Sequence, residues 1–253
     1  MKKILLVGSG NVATHLAINL DRKKYFVNQI FSRNEKKAKN LKNILNCKWT
    51  NDPKQIINAD LTIIAINDDN INKVLSYLPK NPTIHTSGNT NISVLKNHFS
   101  DFGVLYPLQT FKKDIEMEIN NVPFLIEANN EIFENKLFDL ASSISNKVEK
   151  VNSSERKKIH LAAVIACNFS NHMLVLAKNI MKNSNLEFSL LLPLIKKTFS
   201  QINDNPIKLQ TGPASRKDMR VINEHLELIK DKNINFLYEL ISKSIIDSNE
   251  KNS

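Results

Sequence analysis

The sequence predicts an α/β protein. A mostly parallel sheet wound with helices occupies residues 1–151, and an all-helical domain follows over 152–253. Three observations carry this. Short apolar runs alternate with helix-period segments from Ile4 to Val151, the rhythm of right-handed βαβ units. Leu61–Ile66 is almost continuously apolar, as a strand buried on both faces of a parallel sheet must be. From Glu155 to Lys182 there is neither Pro nor Gly, and apolar residues recur at helical spacing. That is a helix of about 40 Å at 1.5 Å per residue.

Taken in order, Ile4–Val7 reads as a strand and Val12–Leu20 as the helix after it. Phe26–Phe31 and Glu35–Leu45 repeat the pair. Leu61–Ile66 is followed by a short helix, Ile71–Leu78, and by a strand, Thr83–Thr86. Phe102–Leu105, Val122–Glu127 and Val148–Val151 read as strands, with a helix over Ile132–Ser145. Ser153 or Ser154 suits the N-cap of the long helix. Leu186–Ile202, interrupted near Pro193, and Asp218–Ser248 read as helical.

Bulk properties narrow the classes. A chain of 253 residues with 42% hydrophobic residues buries a real core. No run of about 18 apolar residues occurs, so no membrane span is expected. The first apolar run stops at Gly8, short of a signal peptide's apolar stretch. The expectation is a cytoplasmic protein with no membrane partner. Cys47 and Cys167 are far apart with no CxxC, which reads as two reduced thiols and no metal site, Cys167 buried in its helix. The net charge of +10 comes from scattered lysines rather than a basic block with aromatics, so nucleic acid is not an expected partner.

Two of the five glycines fall within three residues. Gly8-Ser9-Gly10-Asn11-Val12-Ala13 lies between the first strand and the first helix and fits the dinucleotide fingerprint GxGxxG/A. Gly8 permits the tight turn. Gly10 lets a pyrophosphate reach the backbone at Asn11 and Val12, and Ala13 allows close helix–strand packing. Free N–H groups at the helix start favour an anion there. The second strand ends in Phe31-Ser32-Arg33-Asn34, where an NAD site usually carries an acid. Ser32 and Arg33 instead suit a ribose 2′-phosphate, so the expected cofactor is NADP(H). Asn67 and Asp68 follow the strand at Leu61–Ile66 and are placed to line the cofactor cleft.

His85-Thr86-Ser87-Gly88, Tyr106-Pro107-Leu108-Gln109-Thr110-Phe111, Val122-Pro123-Phe124-Leu125-Ile126-Glu127 and Gln210-Thr211-Gly212-Pro213-Ala214-Ser215-Arg216 remain. With the GSGNVA opening and the helix around His160 and Asn168, they resemble the Rossmann-like proteins that carry a DUF2520 C-terminal domain. The resemblance covers essentially the whole chain. It implies an NADP-type Rossmann domain, a helical domain that walls the cleft and makes a homodimer, and a layout similar to pyrroline-5-carboxylate reductase and the β-hydroxyacid dehydrogenases. Family labels also name the deazaflavin F420, which the residues themselves do not support. Where the family pattern after TGPA usually reads Arg-Gly-Asp, this chain has Arg216-Lys217-Asp218, lacking a glycine that a positive φ or a close ligand approach would need.

The expected chemistry is hydride transfer between a nicotinamide and a small carbonyl, hydroxyl or imine substrate. The rival reading is a dinucleotide-binding sensor or scaffold without turnover. His160 is the candidate acid/base. Ser87 and Asn168 would hold the substrate, and Arg216 would pair with its charge. Gln109 and Thr110 suit orientation, and His85 fits either core or site.

Overall fold

The structure is a computed structural model and describes residues 2–112 and 118–251. It divides into two compact units, Met1–Ala166 and Cys167–Ser253.

The first unit is built on one eight-stranded sheet. Its strands are β1 (Lys3–Val7), β2 (Phe26–Phe31), β3 (Lys48–Thr50), β4 (Leu61–Ile64), β5 (Thr83–His85), β6 (Phe102–Pro107), β7 (Phe124–Ala128) and β8 (Val148–Lys150). The spatial order is β3-β2-β1-β4-β5-β6-β7-β8. The first six run parallel, β7 is antiparallel to β6, and β8 is parallel to β7. This is the doubly wound Rossmann order, with the chain reversing its progression between β1 and β4, where such sheets bind ligands. The three-residue β3 escapes a sequence reading because Lys48-Trp49-Thr50 is too short to show a period.

Among the described residues, five α-helices belong to this unit: α1 (Asn11–Arg22), α2 (Glu35–Leu45), α3 (Ile71–Val74), α4 (Glu131–Ile144) and α5 (Ser153–Ala163). β1 shows why both sheet faces are covered. Ile4 and Leu6 enter a core with Leu16, Leu20 and Phe133, while Leu5 and Val7 enter the opposite one with Leu75 and Leu95. Asn34 starts α2 and Asn130 starts α4 by accepting the free N–H groups of Lys37 and Phe133. The expected helix Ile71–Leu78 is α-helical only to Val74 and continues as a 3-10 turn.

The first unit runs past Val151 to Ala166 for a physical reason. The N-cap of α5 is Asn152, one residue before the serines, and it forms a reciprocal capping box with Glu155. One turn in, Arg156 is fully buried and paired with Glu127 on β7. Its guanidinium also donates to Thr90 O at 2.6 Å and Ser153 Oγ at 3.2 Å. These bonds stitch the start of α5 to the sheet, so the covalent change to helices precedes the change of packing unit.

The second unit holds α6 (Ser170–Asn183), α7 (Leu192–Ser200), α8 (Met219–Leu228) and α9 (Lys232–Lys251). Between α5 and α6 the backbone stays helical through a π stretch, Val164–Phe169. Pro193 sits in the first turn of α7, where its missing N–H is harmless. The expected single helix over Asp218–Ser248 is two, because Asp231 caps the N–H groups of Asn233 and Ile234 and restarts the chain as α9. Cys167 is exposed on this chain rather than buried. The helix spanning Ser153–Asn183 is, among the described residues, long and apolar enough to cross a membrane, with a mean hydropathy of 1.5 over its best window. The expectation of no such segment rested on an unbroken apolar run. Asn168, Ser170, Asn171 and His172 break the run while leaving the mean high.

Candidate cofactor cleft and proton-donor site

The chain reversal between β1 and β4 opens a cleft of about 830 Å³ at the carboxyl ends of the strands. That volume suits a bound small molecule or dinucleotide. Gly8 turns the chain out of β1 with φ +117°, and a Cβ there would lie 2.2 Å from Ala65 O, so no other residue fits. Gly10 is the N-cap of α1 and has no side chain to satisfy the helix's first N–H groups. A Cβ on Gly10 would meet nothing within 4 Å. The backbone at Asn11 and Val12 thus faces open space with unpaired donors, which is how a helix start receives a pyrophosphate. Asn11 Nδ2 donates to Phe111 O at 2.9 Å and ties the segment after β6 to the glycine turn.

The far rim is basic. Ser32, Arg33, Asn34 and Lys37 line it, and no acid stands among them. Ser32 Oγ is 2.8 Å from Ser9 Oγ, which joins the two loops that would grip the cofactor. Trp49 Nε1 donates to Ser32 O at 3.3 Å, so the single tryptophan lies directly behind this rim. Lys37 was not singled out from the sequence. Its signal was its place in the first turn of a helix whose cap follows Arg33, so that both cations border one pocket.

The opposite rim carries Asn67, Asp68, Ser87 and His160. Asp68 caps no helix: its Oδ2 accepts a 2.7 Å bond from Ser87 Oγ. The Ser87 hydroxyl in turn accepts from Asn89 N at 3.1 Å and Thr90 N at 2.8 Å. Its hydrogen and its lone pairs are all engaged within the protein, so Ser87 shapes the loop and aims Asp68. His85 is a core residue. It is fully buried, its Nδ1 accepts from Ser87 N at 3.2 Å, and burial, reinforced by the Arg156 charge, pushes its pKa down to about 3.

His160 reaches the cleft because it lies one helical turn after the anchored Arg156, on the same face of α5. Its Nδ1 is 3.0 Å from Tyr106 Oη, with the rings edge-to-face at 5.8 Å between centroids. Gln109 and Thr110 do not border the cleft; Gln109 Oε1 accepts from Thr110 N at 2.8 Å. Asn168 and Arg216 belong to the second unit, Asn168 on the π stretch and Arg216 on the loop before α8, both exposed. Lys217 adopts φ 55°, the conformation for which the family glycine is suited. Among the described residues no cluster of His, Cys, Asp or Glu could hold a metal.

A Rossmann cleft with an open glycine turn and a basic rim has the arrangement of a dinucleotide site. Comparison with known proteins agrees. Residues 3–95 match the family described as NADP oxidoreductase, coenzyme F420-dependent, and residues 122–245 match a domain of unknown function, DUF2520. A Bacteroides fragilis protein described provisionally as an NADP oxidoreductase is 37% identical, over 97% of this chain and 98% of that one, with a TM-score of 0.90. The chain belongs to this NADP oxidoreductase-like family with a DUF2520 domain. Two more distant structures share the fold. An imine reductase from Myxococcus stipitatus in complex with NADP+ has 10% identity, coverage of 98% and 94%, and a TM-score of 0.69. The 1-pyrroline-5-carboxylate reductase of Streptococcus pyogenes has 16% identity, 98% coverage of both chains and a TM-score of 0.63. No curated protein matches the chain.

Proposed function

We propose that the protein is an NADP(H)-dependent oxidoreductase acting on a small carbonyl, hydroxyl or imine substrate. The observation that carries this is the polarity of the cleft: the uncapped helix start after Gly10, the cations Arg33 and Lys37 at one rim, and the His160 imidazole at the other. The first two receive a pyrophosphate and a 2′-phosphate, which NAD(H) lacks. The nicotinamide, when bound, supplies or accepts the hydride. His160 holds or gives the proton at the substrate's oxygen or nitrogen. The family matched by residues 3–95 is also described by F420; the basic rim at Arg33 and Lys37 is what supports NADP(H) here.

We further propose that a second copy of the chain covers the helical unit. Its only buried side chains among the described residues are Ala214, Ile222 and Ser242, and its surface carries Phe169, Leu190, Leu194 and Phe236, each more than half exposed. An apolar load of this size marks an interaction surface, and the same covering accounts for the apolar Ser153–Asn183 helix. The expected assembly is a homodimer.

Titration with NADPH and NADH, read by Trp49 fluorescence, tests the cofactor assignment. NADPH is expected to bind at least about tenfold more tightly than NADH, and Arg33→Ala to abolish the preference. Equal affinities would overturn the NADP assignment. NADPH binding with no turnover on panels of imines, ketones and alcohols would favour the sensor reading.

A further inference from the structure

The candidate proton donor of the cleft meets Tyr106, a residue to which neither its motif nor any comparison assigns a role. We infer that Tyr106 is the positioning residue of His160, and that Gly88 is the floor on which the pair sits; this rests on the oxidoreductase reading only for the use to which the pair is put.

Three observations bear on it. Tyr106, on β6, meets the His160 ring at Nδ1, 3.0 Å from its hydroxyl, which leaves Nε2 as the ring nitrogen available to the cleft that His160 lines. The two rings pack edge-to-face. A Cβ at Gly88 would lie 2.8 Å from His160 Nδ1 and 2.8 Å from Tyr106 Cζ. Glycine is needed there because the pair occupies that space.

A phenol suits this position for a chemical reason. A tyrosine hydroxyl both donates and accepts. With neutral His160 the phenol donates to Nδ1, which puts the imidazole proton on Nε2. In the imidazolium, Nδ1–H donates to the phenol oxygen and Nε2–H faces the cleft; when Nε2 gives that proton to the substrate, Nδ1–H stays on the phenol oxygen, and proton exchange with solvent returns the ring to the resting Nε2–H tautomer. The ring keeps one orientation through both protonation states, as a group that gives and regains a proton requires. A carboxylate in the same place would favour the imidazolium and hold it charged, and a backbone carbonyl could only accept. The phenol stays protonated: burial raises the Tyr106 pKa, opposed by the Arg156 charge and reinforced by Asp68. Asp68, Arg156 with its partner Glu127, and the neutral His85 are the other ionisable groups around the pair.

The test needs neither substrate nor turnover. Long-range 1H–15N correlation of the histidine rings in the full-length labelled protein, with His160 assigned by His160→Gln, reads the tautomer and its titration. Wild type is expected to show a single Nε2–H tautomer at high pH. Tyr106→Phe removes one oxygen and keeps the ring packing; its His160 is expected to show a tautomer mixture and a shifted titration, with NADPH affinity unchanged. Gly88→Ala, which drives the rings apart, should lose the same selection while the hydroxyl remains. Where a substrate is found, Tyr106→Phe should lower kcat about tenfold or more with KM held. Unaltered His160 spectra in both variants, or a tautomer mixture already in wild type, would overturn the inference. Failure to bind NADPH would count against the oxidoreductase reading alone.

Discussion

The sheet unit and the helical unit handle apolar residues in opposite ways. In the first, β1, β4 and β5 are buried on both faces, and Ile30, Ile63, Ile84 and Phe124 show no exposure at all. In the second, four helices hide almost nothing, and a groove of about 310 Å³ lined by Met173, Leu176, Ile180, Tyr238, Ile241 and Ile245 stays open. Both units have regular helices, some of them side-chain capped, as at Asn34, Asn130 and Asp218. Secondary structure therefore forms wherever local signals suffice, while a core needs layers on both sides. One unit carries its layers in its own sequence, and the other leaves its apolar side chains open within a single chain.

The largest effect is expected inside the sheet unit. Arg156→Ala removes the buried guanidinium that pairs with Glu127, and should lower the unfolding free energy by about 3–5 kcal/mol, read by denaturant titration. Next, Ile63→Ala should cost about 2–5 kcal/mol through the cavity it leaves. Leu194→Ala, at 65% exposure, should stay within about 0.5 kcal/mol if nothing covers it. A larger loss at Leu194, together with a dimer in analytical ultracentrifugation that Ile241→Asp dissociates, would show that a second copy completes the helical core. A monomeric wild type would refute that covering.

The sheet unit also predicts a pH response. His85 is held neutral down to about pH 3 when folded, against an ordinary pKa of 6.5. Between those values the unfolded chain binds a proton that the native state does not. Stability from this residue is therefore full above pH 6.5 and falls as the pH drops toward 3, by at most about 1.4 kcal/mol per pH unit. His85→Asn should flatten that limb of a chemical-denaturation series. A small effect of opposite sign lies in the helical unit. Lys217→Gly relieves φ 55° and should raise stability by up to about 1 kcal/mol, or a few degrees in Tm. The exposed Lys217–Glu250 pair, which is lost, contributes little.

Much of the cleft was legible in advance because its signals are local. Gly8, Gly10, Ser32 and Arg33 sit at strand ends whose apolar runs announce themselves, and the structure lines one cleft with all four. Asn67, Asp68 and His160 border it as well. Ser87 was placed in the right loop but given a free hydroxyl, because the bonds from Asn89, Thr90 and Asp68 exist only once the loop has closed. Tyr106 and Lys37 were missed for a related reason. Tyr106 lies 54 residues from His160, and no sequence spacing reports that separation. The break at Asp231 was hidden by a helical period that continues on both sides of it.

By itself the sequence determined the βαβ rhythm, the glycine turn, the basic end of β2 and the long apolar helix. Each rests on periodicity or on the conformational needs of one or two residues, which are properties of a short stretch of chain. Tertiary structure alone decided that β7 turns antiparallel, that Glu127 and Arg156 bind α5 to the sheet, and that Tyr106 meets His160 over Gly88. Those outcomes join residues from different parts of the chain, and burial and hydrogen bonding between distant segments select them.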